Sequence, residues 1–288
     1  MEGVMMRGAK TMAVAVRQPD GEILVHTEPL DPRIYSSRVN KVPFLRALTS
    51  LWDVLVLGIR TLMFSADVAL AEEEDVEFSG PVAWGTVALS FALGIGLFFV
   101  VPLLLVGLVD RFIESSLLSN VLEGVIRMTI FVAYIWLIGL MPDIRRVFGY
   151  HGAEHKTINA YEAGMDLTPS EVAKCSTAHY RCGTAFLLSV MVISIVVFSF
   201  LGRPPMALRI LSRIVLIPVV VGVDYEYIKF TNRHRDNRII RAIAAPNLAL
   251  QSLTTREPDE SMLEVSIAAL DRVLEAEGGE LAAEATST

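Results

Sequence analysis

The residues best suited to chemistry lie in one short stretch, 150–164, which reads YHGAEHKTINAYEAG. Two of the five histidines of the chain, His151 and His155, stand four positions apart in it, with Glu154 between them. On a helix, residues four apart lie on the same face, so both imidazoles can bind one ion. Glu154 is on the side of His151, three positions further along.

The order His-x-x-Glu-His is that of inverted zinc metallopeptidases, in which two histidines bind zinc and the glutamate activates water. We therefore expect His151 and His155 to be metal ligands and Glu154 to be a catalytic base. Five residues are a short pattern, and the alternative is a helix at a membrane interface whose polar side chains face water.

Further ligands are expected from the stretch CSTAHYRCGTAF, which places His179 and Cys182 three positions apart. An imidazole and a thiolate favour zinc or iron over magnesium, and zinc is the ion we expect. Arg181 is expected to bind an anion or to cap the helix that follows. Cys175 is expected to pack as a small residue.

Glu162 is seven positions after His155, about 10 Å along a helix, and so is too far to complete the site. We expect Glu162 either to support the ligands from outside the site or to have no role in it.

The elements that must position these residues are unusually apolar. The 288 residues are 53% hydrophobic and 20% charged, with a mean hydropathy of +0.50, whereas soluble domains are about 45–50% apolar and about 25% charged. The apolar residues form long blocks, as in membrane spans. The sequence predicts a mainly α, polytopic helical membrane protein whose membrane domain covers 85–223, with about four spans at 85–109, 121–141, 185–201 and 207–223.

The region before these spans has two parts. Residues 1–41 alternate apolar and polar on both sides of Pro19-Asp20-Gly21, which predicts a small N-terminal β-hairpin. Residues 42–70 are helical in pattern, and their charges recur every seven positions along one stripe. This predicts an amphipathic helix that lies in the interface or packs its stripe on the protein; a fifth span is the alternative. The stripe is formed by Arg46, Asp53, Arg60 and Asp67.

Lys and Arg are concentrated before the first span, in the loop 142–184 and after the last span. This bias predicts that both termini and the loop are cytoplasmic, in a multi-pass protein of the bacterial inner membrane. Two cysteines give no disulfide framework and suit a reducing compartment. The expected partners are the lipid bilayer and other membrane proteins, and no nucleic acid is expected.

The segment 224–277 is expected to be helical and cytoplasmic, with a basic helix along the anionic leaflet followed by an amphipathic helix. The tail 278–288 is expected to be disordered.

Four stretches of the chain occur in this order: EGVMMRG, HGAEHKTINAYEAG, RCGTAFLLSV and LQSLTTREPD. Together they resemble the domain of unknown function 1385 family, the YqhQ-like proteins. The likeness runs from Glu2 to about Glu277. It implies a multi-span bacterial inner-membrane protein described as a predicted metal-dependent enzyme, and it implies no established reaction. Where the family has His-Pro-Arg-Cys-Gly, this chain has Tyr180 in place of the proline and loses no candidate ligand.

Three functions are consistent with these observations. The first is a membrane-bound zinc hydrolase in which His151, His155 and one of His179 or Cys182 bind the ion. The second is a non-enzymatic assembly or scaffold factor in which all four residues close a structural site. The third is a transporter that uses the intramembrane charges Glu123, Arg127, Arg209 and Arg213. The first is favoured, and the substrate cannot be read from the chain.

Overall fold

The computed structural model describes residues 2–31, 42, 46–47, 49, 56–70, 81–180, 182–202, 204–234 and 237–278. These residues are mainly helical, as predicted, with one small sheet near the N-terminus. The helices are α1 (Gly58–Leu70), α2 (Pro81–Ile95), α3 (Val101–Val109), α4 (Ser116–Ile138), α5 (Pro142–Glu162), α6 (Pro169–Val172), α7 (Gly183–Ser199), α8 (Met206–Val215), α9 (Ile217–Arg233), α10 (Arg238–Gln251) and α11 (Glu260–Glu277).

The sheet has three antiparallel strands in the order β1 (Gly3–Arg7), β2 (Thr11–Arg17) and β3 (Ile23–Pro29). The predicted hairpin corresponds to β2 and β3, and its turn contains Gly21 at φ 90°, a conformation that glycine adopts without strain. The prediction of a hairpin alone was incomplete, because β1 adds a third strand that pairs Gly3 with Val16 and Arg7 with Met12. A lone hairpin is marginal in water, and the third strand adds stability.

The core next to the candidate site lies between the sheet, α11 and α5. Val4 and Ala15 of the sheet, Val265 of α11 and Tyr150 and Ala153 of α5 belong to one buried apolar cluster. The central strand β2 is covered on its other face as well, where Val14 and Val16 pack with Val68 and Phe64 of α1. This layered unit holds α5 in a fixed place.

Both helices of this core have defined ends. The carboxylate of Asp259 accepts a hydrogen bond from Met262 N at the start of α11, as an N-cap does. The first turn of α5 contains Pro142, which has no N–H to leave unpaired. The same helix ends before Gly164 at φ 66°, where Met165 N donates to Ala160 O.

Two helical stretches among the described residues are long and apolar enough to cross a membrane, 84–112 and Ser116–Ile138. In each, only 17% of the most apolar window is buried inside the protein. They correspond to the first two predicted spans. The described part of the chain therefore has two candidate spans where about four were expected.

The remaining predicted spans, 185–201 and 207–223, appear as shorter helices. The first corresponds to α7, whose described apolar part covers Ser189–Ser199. The second is divided at Leu216 between α8 and α9. Pro218 in the first turn of α9 explains the division, since a proline cannot continue the hydrogen-bond ladder of the preceding helix.

Part of the predicted amphipathic segment 42–70 is described. The Arg46 guanidinium forms a bidentate ion pair with Glu226 of α9 and lies 5.5 Å from the Tyr225 ring centroid. Arg60 is exposed, and Asp53 lies outside the described residues. At Arg46, therefore, the stripe contacts the protein.

Candidate metal centre

Helix α5 brings the two histidines of the His-x-x-Glu-His stretch together. The ring centroids of His151 and His155 lie 4.3 Å apart, and His155 is 2% exposed. Their Nδ1 atoms are held by backbone carbonyls from elsewhere in the chain, His151 by Thr254 O at 2.8 Å and His155 by Thr177 O at 2.6 Å. Because a carbonyl oxygen only accepts, each Nδ1 carries a proton, which leaves each Nε2 as the nitrogen available to a ligand.

Cys182, just before α7, completes a group of three. Its Sγ lies 3.1 Å from His151 Nε2, and the three potential ligand atoms, one each from His151, His155 and Cys182, all lie within 4.8 Å of one another. Ligands at about 2.0–2.3 Å around one tetrahedral zinc are separated by about 3.3–3.8 Å. The donor set could hold a metal ion, and the carbonyls that hold both Nδ1 atoms provide the outer support usual for histidine ligands.

The backbone of the segment 254–256 lies close to α5, which explains why a glycine follows His151. A Cβ on Gly152 would lie 2.1 Å from Arg256 O, so only glycine lets the segment 254–256 lie this near α5. Arg256 N donates to Phe148 O at 2.8 Å, which anchors the same segment to the preceding turn of α5. The Thr254 carbonyl is thereby presented to His151.

The segment between α6 and α7 is fixed on its other side by side chains of α5 and α10. Asn159 Nδ2 donates to Ser176 O and Ala178 O at 2.8 and 3.1 Å. Gln251, 1% exposed, accepts from His179 N at 3.1 Å and donates to His179 O at 2.7 Å. These contacts hold the Thr177 carbonyl against His155 and deliver Cys182 to the site.

His179, expected as a ligand, lies beside the group of three without being part of it. Its ring centroid is 5.7 Å from that of His155, and its Nε2 is 3.5 Å from Glu162 Oε1. Glu162, which the sequence placed too far away to complete the site, thus meets the neighbouring histidine. The structure brings three of the four expected ligands together.

The electrostatics of the group in the absence of metal are those of an imidazolium–thiolate pair. Burial lowers the pKa of His151, but the hydrogen bond and the charge of Cys182 outweigh it and raise that pKa to about 9. Burial raises the pKa of Cys182, but hydrogen bonds from His151 and His155 outweigh it and hold that pKa well below its ordinary value. A thiolate is the form that binds metal.

Glu154 is half-buried, and the charges of His151, His155 and Cys182 act on it electrostatically. Burial raises its pKa, and the positive charges of His151 and His155 partly offset the shift. A carboxylate with a raised pKa accepts a proton more readily than an ordinary one, as a general base must. Arg181, predicted to bind an anion, lies outside the described residues.

Sequence reasoning missed the residues that orient the ligands. Thr177 and Thr254 act through their backbone carbonyls. Every residue has such a carbonyl, so residue type does not reveal this role. Gln251 lies in LQSLTTREPD, a stretch that we quoted for the resemblance and to which we assigned no part in the site. Cys175, by contrast, packs against the apolar core as expected.

Comparison with known proteins agrees with the family resemblance. The family described as "Protein of unknown function (DUF1385)" matches residues 42–276, most of the chain. The chain belongs to this family. It is 32% identical over 289 residues to the "Uncharacterized protein YqhQ" of Bacillus subtilis (strain 168), with 96% of this chain and 91% of the relative covered. No solved structure matches.

Proposed function

We propose that this protein is a metal-dependent membrane enzyme of the hydrolase class, with zinc held by His151, His155 and Cys182 and with Glu154 as general base. The observation that carries the proposal is the convergence of one nitrogen from each histidine and one Sγ within 4.8 Å, with both Nδ1 atoms held by backbone carbonyls. Such outer hydrogen bonds fix a histidine in the tautomer that binds metal.

The number of converging ligands favours catalysis over a purely structural site. Structural zinc sites have four protein ligands, whereas catalytic ones have three and leave the fourth position to water or substrate. Three ligands converge among the residues that the structure describes, while His179 pairs with Glu162. Zinc in such a site would lower the pKa of a water in the fourth position and would polarise the oxygen of a carbonyl or phosphoryl group.

The chain's own residues supply the proton transfers. Glu154 takes a proton from the attacking water as the water oxygen bonds to the electrophilic centre of the substrate. It then passes this proton to the leaving group as the bond to that group breaks. His151 and His155 remain hydrogen-bonded to Thr254 O and Thr177 O throughout, which keeps the geometry of the site.

A non-enzymatic assembly or scaffold factor with a structural metal is the second candidate. The nearness of His179 to His155, with ring centroids 5.7 Å apart, favours it. Rotation of His179 away from Glu162 would add a fourth protein ligand and close the site.

The membrane setting is part of the proposal. The two long apolar helices support it, and so do exposed side chains along them such as Leu93 at 65% and Leu108 at 70% exposure. We extend them to four spans with α7 and α8–α9, in the bacterial inner membrane, with both termini and the metal centre on the cytoplasmic side. Reporter fusions after Gly21, Glu171 and Glu257 should then all report cytoplasm, and a periplasmic signal at Glu171 would reverse the orientation.

Two variants distinguish the enzyme from the scaffold. Each variant is compared with deletion of the protein in a bacterial host that normally produces it. Glu154→Gln should keep the zinc, because the amide leaves all three ligands in place, and should behave like the deletion. His155→Ala should lose both zinc and function. His234→Ala, which alters an exposed histidine at the end of α9, is the matched control and should behave as wild type. A functional Glu154→Gln beside a failing His155→Ala would make the site structural.

A further inference from the structure

Far from the metal centre, three arginines converge on one carboxylate inside the helical part of the protein. Arg127 of α4 and Arg209 and Arg213 of α8 all bind Glu123, at 2.6, 2.7 and 3.1 Å. The arginine side chains are 4–5% exposed and that of Glu123 is 2% exposed. We call Arg127, Arg209 and Arg213 the arginine cluster.

The charges around the arginine cluster do not balance. The described carboxylates that contact it are Glu123 and Asp110, the latter 3.4 Å from Arg209 and 20% exposed on its side chain. Three guanidinium groups against two carboxylates leave an excess of one positive charge. Arginine does not deprotonate in proteins, and an uncompensated buried charge is strongly unfavourable. A bound anion with one negative charge would restore balance.

The free hydrogen-bond donors belong to the same side chains. Nε and Nη1 of Arg213 and Nε of Arg209 are buried and have no hydrogen-bond partner. Arg213 Nη2 is already engaged by Asn120 Oδ1 at 3.0 Å and by Glu123. Nε and Nη1 donate from different edges of the guanidinium, so each free donor can bind one oxygen of an anion.

The position of the arginine cluster suits a phosphate at the level of lipid headgroups. Asp110 lies at the end of the apolar stretch 84–112, and Asn120 in the first turns of α4 donates to Gly202 O in the connection between α7 and α8. The Arg209 side of the cluster therefore lies where two apolar stretches and this connection meet, while Arg127 donates to Phe98 O at 3.0 Å, midway along the stretch 84–112. Helix α4 is about 34 Å long, and the metal centre follows its other end.

From the free donors and the excess charge, we propose that the arginine cluster binds a phosphate oxyanion, held by Arg213 and Arg209. The phosphodiester of an acidic phospholipid and free inorganic phosphate share this chemistry. The lipid source depends on the membrane insertion proposed above, whereas the anion site does not depend on the metal centre. A failure here would leave zinc binding untouched.

The test uses the full-length protein in nanodiscs of phosphatidylcholine alone, of phosphatidylcholine with phosphatidylglycerol, and of phosphatidylcholine with inorganic phosphate in the buffer. The unfolding temperature is measured in each, and native mass spectrometry counts the phosphatidylglycerol retained per protein. The wild type should be stabilised in at least one of the two anion-containing conditions. Stabilisation by phosphatidylglycerol identifies the lipid, and equal stabilisation by inorganic phosphate identifies the free anion.

Two substitutions locate the effect. Arg213→Gln removes the excess charge and the free guanidinium donors, so it should abolish the stabilisation. Arg111→Gln alters an exposed arginine near the same end of the helices and should respond as wild type does. If Arg213→Gln does not fold, Arg213→Lys keeps the charge without the guanidinium donors and should weaken retention about tenfold.

Three results would overturn the proposal. One is a wild type that neither phosphatidylglycerol nor phosphate stabilises, whatever the variants do. Another is an Arg213→Gln protein that is stabilised as fully as the wild type. The third is an equal loss in Arg213→Gln and Arg111→Gln, which would mean a general attraction of surface charge.

Discussion

His151 Nε2 lies 3.1 Å from Cys182 Sγ, although the two residues are 31 positions apart in the sequence. Helix α5 fixes the first residue and the start of α7 fixes the second. Their contact means that the connection between these helices folds back onto its own beginning. With His155 one turn further along α5, the contact defines a three-ligand centre.

The first prediction separates ligands from neighbours. His155→Ala should reduce the zinc content of the purified protein to a small fraction, because two remaining ligands bind an ion far more weakly than three. His179→Ala should keep most of the zinc, since His179 faces Glu162. Metal analysis after dialysis against a weak chelator checks both, with His234→Ala as the control. Equal loss in the His155 and His179 variants would show that four residues bind the ion.

The second prediction concerns pH. Without metal the pKa of His151 is raised to about 9, mainly by the Cys182 thiolate against the opposing effect of burial. Zinc must displace this proton, so apparent zinc affinity should rise about tenfold per pH unit up to about pH 9 and level off above it. Zinc competition titrations from pH 6.5 to 9.5 check this. A flat profile over that range would mean that His151 is neutral in the free protein.

The same shift has a consequence for the metal-free protein. The folded-state pKa of His151 is raised above the ordinary value of 6.5. Its contribution to stability is therefore complete below about pH 6.5 and is lost as the pH rises through about 9. Denaturant unfolding of metal-free protein at pH 7.5 and pH 10 should show the difference, and His151→Gln should lack it.

The third prediction concerns the packing that positions His151. Gly152→Ala would place a methyl group 2.1 Å from Arg256 O, so the segment that carries Thr254 must move away from α5. We expect a stability loss of about 1–3 kcal/mol and weaker zinc binding. Gly107→Ala, at a helical glycine with open space around it, is the control and should leave zinc binding unchanged without lowering stability. Unchanged zinc affinity in Gly152→Ala would mean that the Thr254 hydrogen bond does not orient the ligand.

Local sequence patterns predicted much of this arrangement. The spacing of His151 and His155 predicted their shared face, because helical periodicity is a local property. The turn at Pro19-Asp20-Gly21 likewise predicted the pairing of β2 with β3. Cys182 was named from its residue type and its place before a span, and it does meet both histidines.

What the sequence did not predict depends on contacts between distant segments. The strand β1 is formed by five residues whose role is set by pairing with β2. The Gln251 side chain holds the His179 backbone from 72 positions away in the sequence, a contact that no local pattern predicts. Two of the expected spans do not form one long apolar helix among the described residues, and in one of them Pro218 divides the apolar run into α8 and α9. Hydropathy does not register such a break.

The most direct test of the metal centre is X-ray absorption spectroscopy at the zinc edge on the full-length protein, loaded with one equivalent of zinc in detergent. The predicted first shell has two nitrogens at about 2.0–2.1 Å, one sulfur at about 2.3 Å and one further light atom. In His155→Ala the nitrogen count should fall by one if any zinc remains. A shell without sulfur, or a protein that takes up no zinc, would contradict the assignment of His151, His155 and Cys182 as one site.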